Sequence, residues 1–176
     1  TTRPHMDGPR LRLTGIGEGL STTVMTVLSG ADSPKKVMQA VHSFFPEAKV
    51  ETMPDEPSFG SAVDALWSFE GLPMQTFLAA LHEQRILDTA LDFMSRNIVD
   101  EHTEFTISRQ AAVVEKVSFP IPGKEPVGGV ITVRLEGSGL KEWLEAATWH
   151  NGRAQVPRTI NDERSMLDDG EASTWL

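Results

Sequence analysis

The chain has 176 residues and no cysteine, and its 25 acidic against 16 basic side chains give a net charge of −9. That length suits one domain, and a domain of about 150 residues buries roughly two-thirds of its unfolded surface without a disulfide staple. Missing thiols favour a reducing compartment, no apolar run reaches the roughly 18 residues a spanning helix needs, and an acidic balance opposes strong phosphate binding unless basic residues share a face. A cytoplasmic protein without a membrane segment is expected.

Residues 1–20 are rich in Gly, Pro and Arg and read as a flexible arm. Within it, Gly15-Ile16-Gly17-Glu18-Gly19 falls short of a dinucleotide fingerprint. That motif needs a third glycine opening a helix, whereas Leu20 precedes a strand-like run. Residues 22–29 (TTVMTVLS) are β-branched and predict the first strand. Ser33-Pro34 predicts a helix start, with Val37, Val41, Phe44 and Phe45 at helical spacing before Pro46. Residues 48–53 (AKVETM) alternate as a strand, and residues 62–70 (AVDALWSFE) predict another, closed by Gly71.

Pro73 opens the longest helical stretch, whose apolar series runs through Phe77, Leu78 and Leu81 and resumes at Ile86, Leu87, Ala90, Leu91 and Met94. Periodicity leaves open whether residues 83–85 bend this helix or continue it. Residues 104–108 (EFTIS) predict a strand, 109–112 a tight corner, 113–119 a further strand and 129–136 (GVITVRLE) the cleanest one. A closing helix spans 140–149, and the acid-rich residues 154–176 read as a mobile tail. The expected order is β-α-β-β-α(α)-β-β-β-α. It describes an α+β domain over 21–153, with a mostly antiparallel sheet and helices packed on one face.

No catalytic centre is legible. There is no G-x-S-x-G elbow, and no two of the five histidines lie at the short spacing that commonly places two ligands on one metal. Neither a metal nor another cofactor is expected. Asp88 and Asp92 share a helix face with Arg85 and Arg96 within a turn, which reads as a solvated, ion-paired surface. The notable polar residues are Gln84 and Arg85 in the long helix, Arg109 and Gln110 at the corner, and Lys116 beyond it. Such side chains also serve structure by satisfying loop carbonyls, and spacing alone does not separate the two roles.

Residues 81–90 (LHEQRILDTA) and 107–119 (ISRQAAVVEKVSF) resemble the two signature blocks of an archaeal group, the uncharacterised protein family two hundred and one. Its pattern pairs R-Q-R-I-L-D-A-A with N-K-Q-A-A running into G-K-V-S-F. The likeness spans about 22–153, including the helix ending Phe44-Phe45-Pro46 and the strand ending Glu70-Gly71. This chain departs from the pattern at Glu115, where the family has glycine, at Glu83 and Ser108, and at Thr148-Trp149-His150, where members tend to be basic.

The resemblance implies a fold related to double-stranded-RNA-binding domains and to a ribosomal protein, and exosome-associated RNA binding through backbone and shape. Structured RNA and RNA-processing proteins would be its partners. Gln84, Arg85, Arg109, Gln110 and Lys116 would then face RNA, with Lys35 and Lys36 extending the patch. The other expectation is a non-catalytic protein-interaction or scaffold module that uses its acidic surface.

Overall fold

A computed structural model describes residues 13–160. Its strands are β1 (Ser21–Gly30), β2 (Val63–Glu70), β3 (His102–Ser108) and β4 (Val130–Glu136). They form one antiparallel sheet in the order β2-β1-β4-β3. Five helices accompany it: α1 (Pro34–Phe44), α2 (Gln75–Gln84), α3 (Leu87–Ser95), the short α4 (Arg109–Val113) and α5 (Leu140–Ala147). A 3-10 turn follows at Asn151–Ala154. The α+β class and the antiparallel sheet are as expected, and no described helix is long and apolar enough to cross a membrane.

Alternation in the strands decides which face is covered. Val24 and Leu28 of β1, Trp67 and Phe69 of β2, Phe105 and Ile107 of β3 and Ile131, Val133 and Leu135 of β4 point into one core. Phe77 of α2 sits at its centre, edge-on to Phe44 at 5.8 Å and stacked near Phe45 at 6.0 Å and Phe105 at 5.9 Å. The opposite sheet face is left open and carries Val27 and Leu66, which are 58% and 65% exposed. The predicted start of α1 forms as expected, since the Lys36 amide donates to Ser33 Oγ and Pro34 occupies the first turn.

Two expected strands are absent. Residues 48–53 run as loop, because alternation supplies a face but not the partner that a ladder needs. The stretch 113–119 belongs instead to the end of α4 and a loop. Ser108 caps α4 by accepting from the Ala111 amide, and Glu115 turns the chain out of the helix at φ 61°. The expected corner at 109–112 is therefore one short helix.

The long helix does break. Arg85 adopts the left-handed conformation at φ 60°, and the Ile86 amide donates back to the Leu81 carbonyl at 3.1 Å. That closure is the usual helix stop in which glycine is favoured, here built on an arginine.

The domain also extends past both of its expected boundaries. In the expected arm, Thr14 accepts from the Met74 amide at 2.6 Å, and Glu18 accepts from Trp143 Nε1 at 2.8 Å. In the expected tail, Arg158 bonds Asp92 at 2.7 Å and Ile160 packs on the core. The remainder of each, residues 1–12 and 161–176, lies outside the described residues.

Candidate nucleic-acid interface

The candidate residues separate into those turned inward and those turned to solvent. Arg109 leads the first group, with only 6% of its surface exposed. Its Nε donates to the Gly128 carbonyl at 2.8 Å, and Nη1 donates to Thr26 Oγ1 at 3.0 Å and to the Val27 carbonyl at 2.7 Å. Nη2 pairs with Asp32 at 3.0 Å. A guanidinium has five N–H donors, so this clamp leaves little for a phosphate. It also explains Gly129, whose φ of +81° disfavours a side chain and whose added Cβ would lie 2.5 Å from Arg109 Nη2.

Gln84 is half-buried and also bonded within the fold. Its Nε2 donates to the Val117 carbonyl at 3.1 Å, while Oε1 accepts from the Val117 amide at 2.7 Å. This two-point link ties the end of α2 to the segment leaving α4. It therefore sets the exposed neighbours Arg85 and Lys116 on either side of one hydrogen-bonded pair. Both of these candidate side chains are therefore engaged within the fold: Arg109 with two backbone carbonyls, Thr26 and Asp32, and Gln84 with the Val117 backbone.

Lys35, Lys36, Arg85, Gln110 and Lys116 remain exposed. Lys35, Gln39 and His42 follow one stripe of α1 and line a groove of about 460 Å³, whose far wall carries Val113 and Glu115. The amide ends at the start of α1 are already occupied. Glu56 accepts from the Lys35 amide at 3.2 Å and from Ser33 Oγ at 3.0 Å, placing a carboxylate where an external anion would sit. Glu115 also faces the groove. The result is a channel of modest charge rather than a strongly basic patch, and along it His42 bonds the Ala48 carbonyl and Ser43 the Gln39 carbonyl.

Arg85 additionally borders a smaller cavity of about 280 Å³ with His82, Asp88 and His150. Asp88 is not simply a solvated partner of its helical neighbours. It accepts from His150 Nε2 at 2.9 Å and from Arg153 Nε and Nη2 at 3.1 and 3.0 Å. Burial pushes the Asp88 carboxyl up, but the hydrogen bonds and charges of His150 and Arg153 outweigh it and hold the group below its ordinary value. Together, Arg153 on Asp88 and Arg158 on Asp92 strap the C-terminal segment along α3. The four-residue spacing of the two acids was visible in sequence, but partners more than 60 residues away were not. Among the described residues, no group of three or more His, Cys, Asp or Glu is placed to hold a metal ion.

No family model matches the sequence. A UPF0201 protein from Sulfurisphaera tokodaii is 31% identical over 121 residues, covering 67% of this chain and 81% of the relative. Another from Pyrobaculum islandicum is 30% identical over 112 residues, or 62% and 76% of the two chains. The solved UPF0201 structure from Methanococcus jannaschii superposes with a TM-score of 0.60 over 75% of this chain and 96% of its own. At 21% identity, that likeness is one of fold. The identity and coverage of the Sulfurisphaera relative settle the membership: the chain belongs to the UPF0201 protein family.

Proposed function

We propose that this protein is an RNA-binding module that reads structured, A-form RNA by shape and backbone and acts as an accessory to RNA processing. The observation that supports this reading is the groove between α1 and α4, into which Lys35 and Gln39 offer donors from one helical stripe, while His42 on the same stripe is held by the Ala48 carbonyl at 2.7 Å. Recognition of duplex RNA relies on phosphate and 2′-hydroxyl contacts, for which donors ranged along one face matter more than net charge. Lys36, Gln110, Lys116 and Arg85 would extend the contact from the groove across the Gln84–Val117 link. The exosome association and the kinship with double-stranded-RNA-binding domains belong to this proposal and rest on the family resemblance.

Titration of the whole chain with a structured RNA hairpin at two salt concentrations tests it. Each phosphate neutralised steepens the slope of log affinity against log salt by about 0.7 to 0.9. The double variant Lys35→Ala, Lys116→Ala is expected to flatten that slope by about two such steps while changing stability by less than about 0.5 kcal/mol. Absence of binding at low salt, or an unchanged slope in the double variant, overturns the reading. A protein-interaction module is the second reading, favoured by the exposed Val27 and Leu66, which face each other across β1 and β2 on the open sheet face.

A further inference from the structure

We infer that β2 is a self-complementary edge through which two copies of this chain pair into one continuous antiparallel sheet. β2 is an outermost strand of the sheet. The Gly71 amide donates to the Thr22 carbonyl, which extends the β1–β2 register beyond Thr23↔Glu70. In an antiparallel ladder the backbone groups alternate sides, so Val63, Ala65, Trp67 and Phe69 aim theirs at β1. Asp64, Leu66, Ser68 and Glu70 aim theirs outward, and among the described residues no backbone group pairs with them.

Exposed edges are usually blunted by lysine, proline, a bulge or a covering element. β2 (VDALWSFE) has neither lysine nor proline, carries its two exposed acids, Asp64 and Glu70, towards its ends, and pairs without interruption, while Leu66 at its middle is 65% exposed. The turn just before it, bridged between Ser58 and Ser61, adds Phe59, a fully exposed aromatic at the end of the same edge.

The partner is a second copy because the strand complements itself. In a two-fold pairing centred on Leu66, Leu66 meets Leu66 of the other copy and Asp64 meets Ser68. On the core face, Ala65 meets Trp67, small against large. Every outward amide then has an outward carbonyl opposite, as a two-fold interface requires. Sliding the register by two residues one way sets Asp64 against Glu70 on both halves, and sliding it the other way sets Asp64 against Leu66, so like charge disfavours the first slide and loss of the Leu66–Leu66 contact the second.

Sedimentation analysis of the full chain from micromolar to millimolar concentration tests this. A concentration-dependent dimer is expected, tightening with added salt because each copy carries a net charge of −9. Ser68 is exposed, so substitutions there leave the fold intact, as circular dichroism can verify. Ser68→Asp places an acid against Asp64 twice per dimer and raises the Kd by about two- to thirtyfold; Ser68→Lys lowers it by a similar factor. A monomer at every concentration overturns the inference. So does a dimer whose Kd ignores both substitutions, or moves the same way with both.

Discussion

Arg109 and Lys116 stand seven positions apart in one family block, yet tertiary context gives them opposite tasks. Arg109 is buried against Gly128, Thr26, Val27 and Asp32, and its removal would strand polar groups in the interior. Lys116 points to solvent after the left-handed Glu115, and its charge is available to a ligand. A family signature therefore does not read as a binding surface residue by residue. Part of it builds the frame and part is displayed by the frame.

The sharpest way to break that comparison is Arg109→Ala, expected to cost about 3 kcal/mol because it uncouples Asp32 and three backbone or hydroxyl acceptors at once. Urea denaturation measures it, and a loss below about 1 kcal/mol would return Arg109 to the list of exposed candidates. It also follows that loss of RNA binding in this variant says nothing about contact unless the variant is shown to be folded.

A second test asks whether other inward-turned charges behave like Arg109. Glu18 is pushed up by burial, but its hydrogen bonds from Trp143, Gly15 and Thr14 outweigh that and hold it below its ordinary 4.5. Asp88 lies below its ordinary 3.8. For a carboxyl lowered in the folded state, the stabilisation is present above the ordinary value and is lost as pH falls through the folded one. Thermal melts are expected to weaken progressively as pH drops below 4.5, and Asp88→Asn should remove part of that acid dependence. An unchanged acid profile in Asp88→Asn would show that the strap from Arg153 contributes nothing.

The smallest effect concerns the display side. Glu115 holds φ 61°, a conformation that costs a residue with a side chain roughly 1 kcal/mol and glycine far less. Glu115→Gly is expected to stabilise the fold by up to about 1 kcal/mol in the same urea assay and, by removing an acid from the groove, to strengthen the proposed RNA binding in the hairpin titration. Destabilisation would mean that the Glu115 side chain does work that its backbone strain conceals.

Much of the fold was legible. The helix start at Ser33-Pro34, the strand over 129–136 and the apolar stripes of both halves of the long helix followed from capping chemistry and periodicity. What misled was alternation without a partner, at 48–53 and 113–119. Ser108 followed by Arg109-Gln110-Ala111-Ala112 did carry a helix-cap signal, which the strand pattern on either side obscured. The site was less legible than the fold. Exposure, not residue type, separates Lys116 from Arg109.

By itself, the sequence determined the α+β class, the positions of most elements and membership of the blocks that mark the family. These follow from local rules: propensity, capping and the period of apolar residues along the chain. Packing alone revealed that Arg109 and Gln84 tie distant segments together, that Arg153 and Arg158 strap the C-terminal segment to α3, and that β2 ends the sheet. Each of these depends on which distant carbonyl, carboxylate or strand comes to lie alongside, and that proximity is created by packing, not by spacing along the chain.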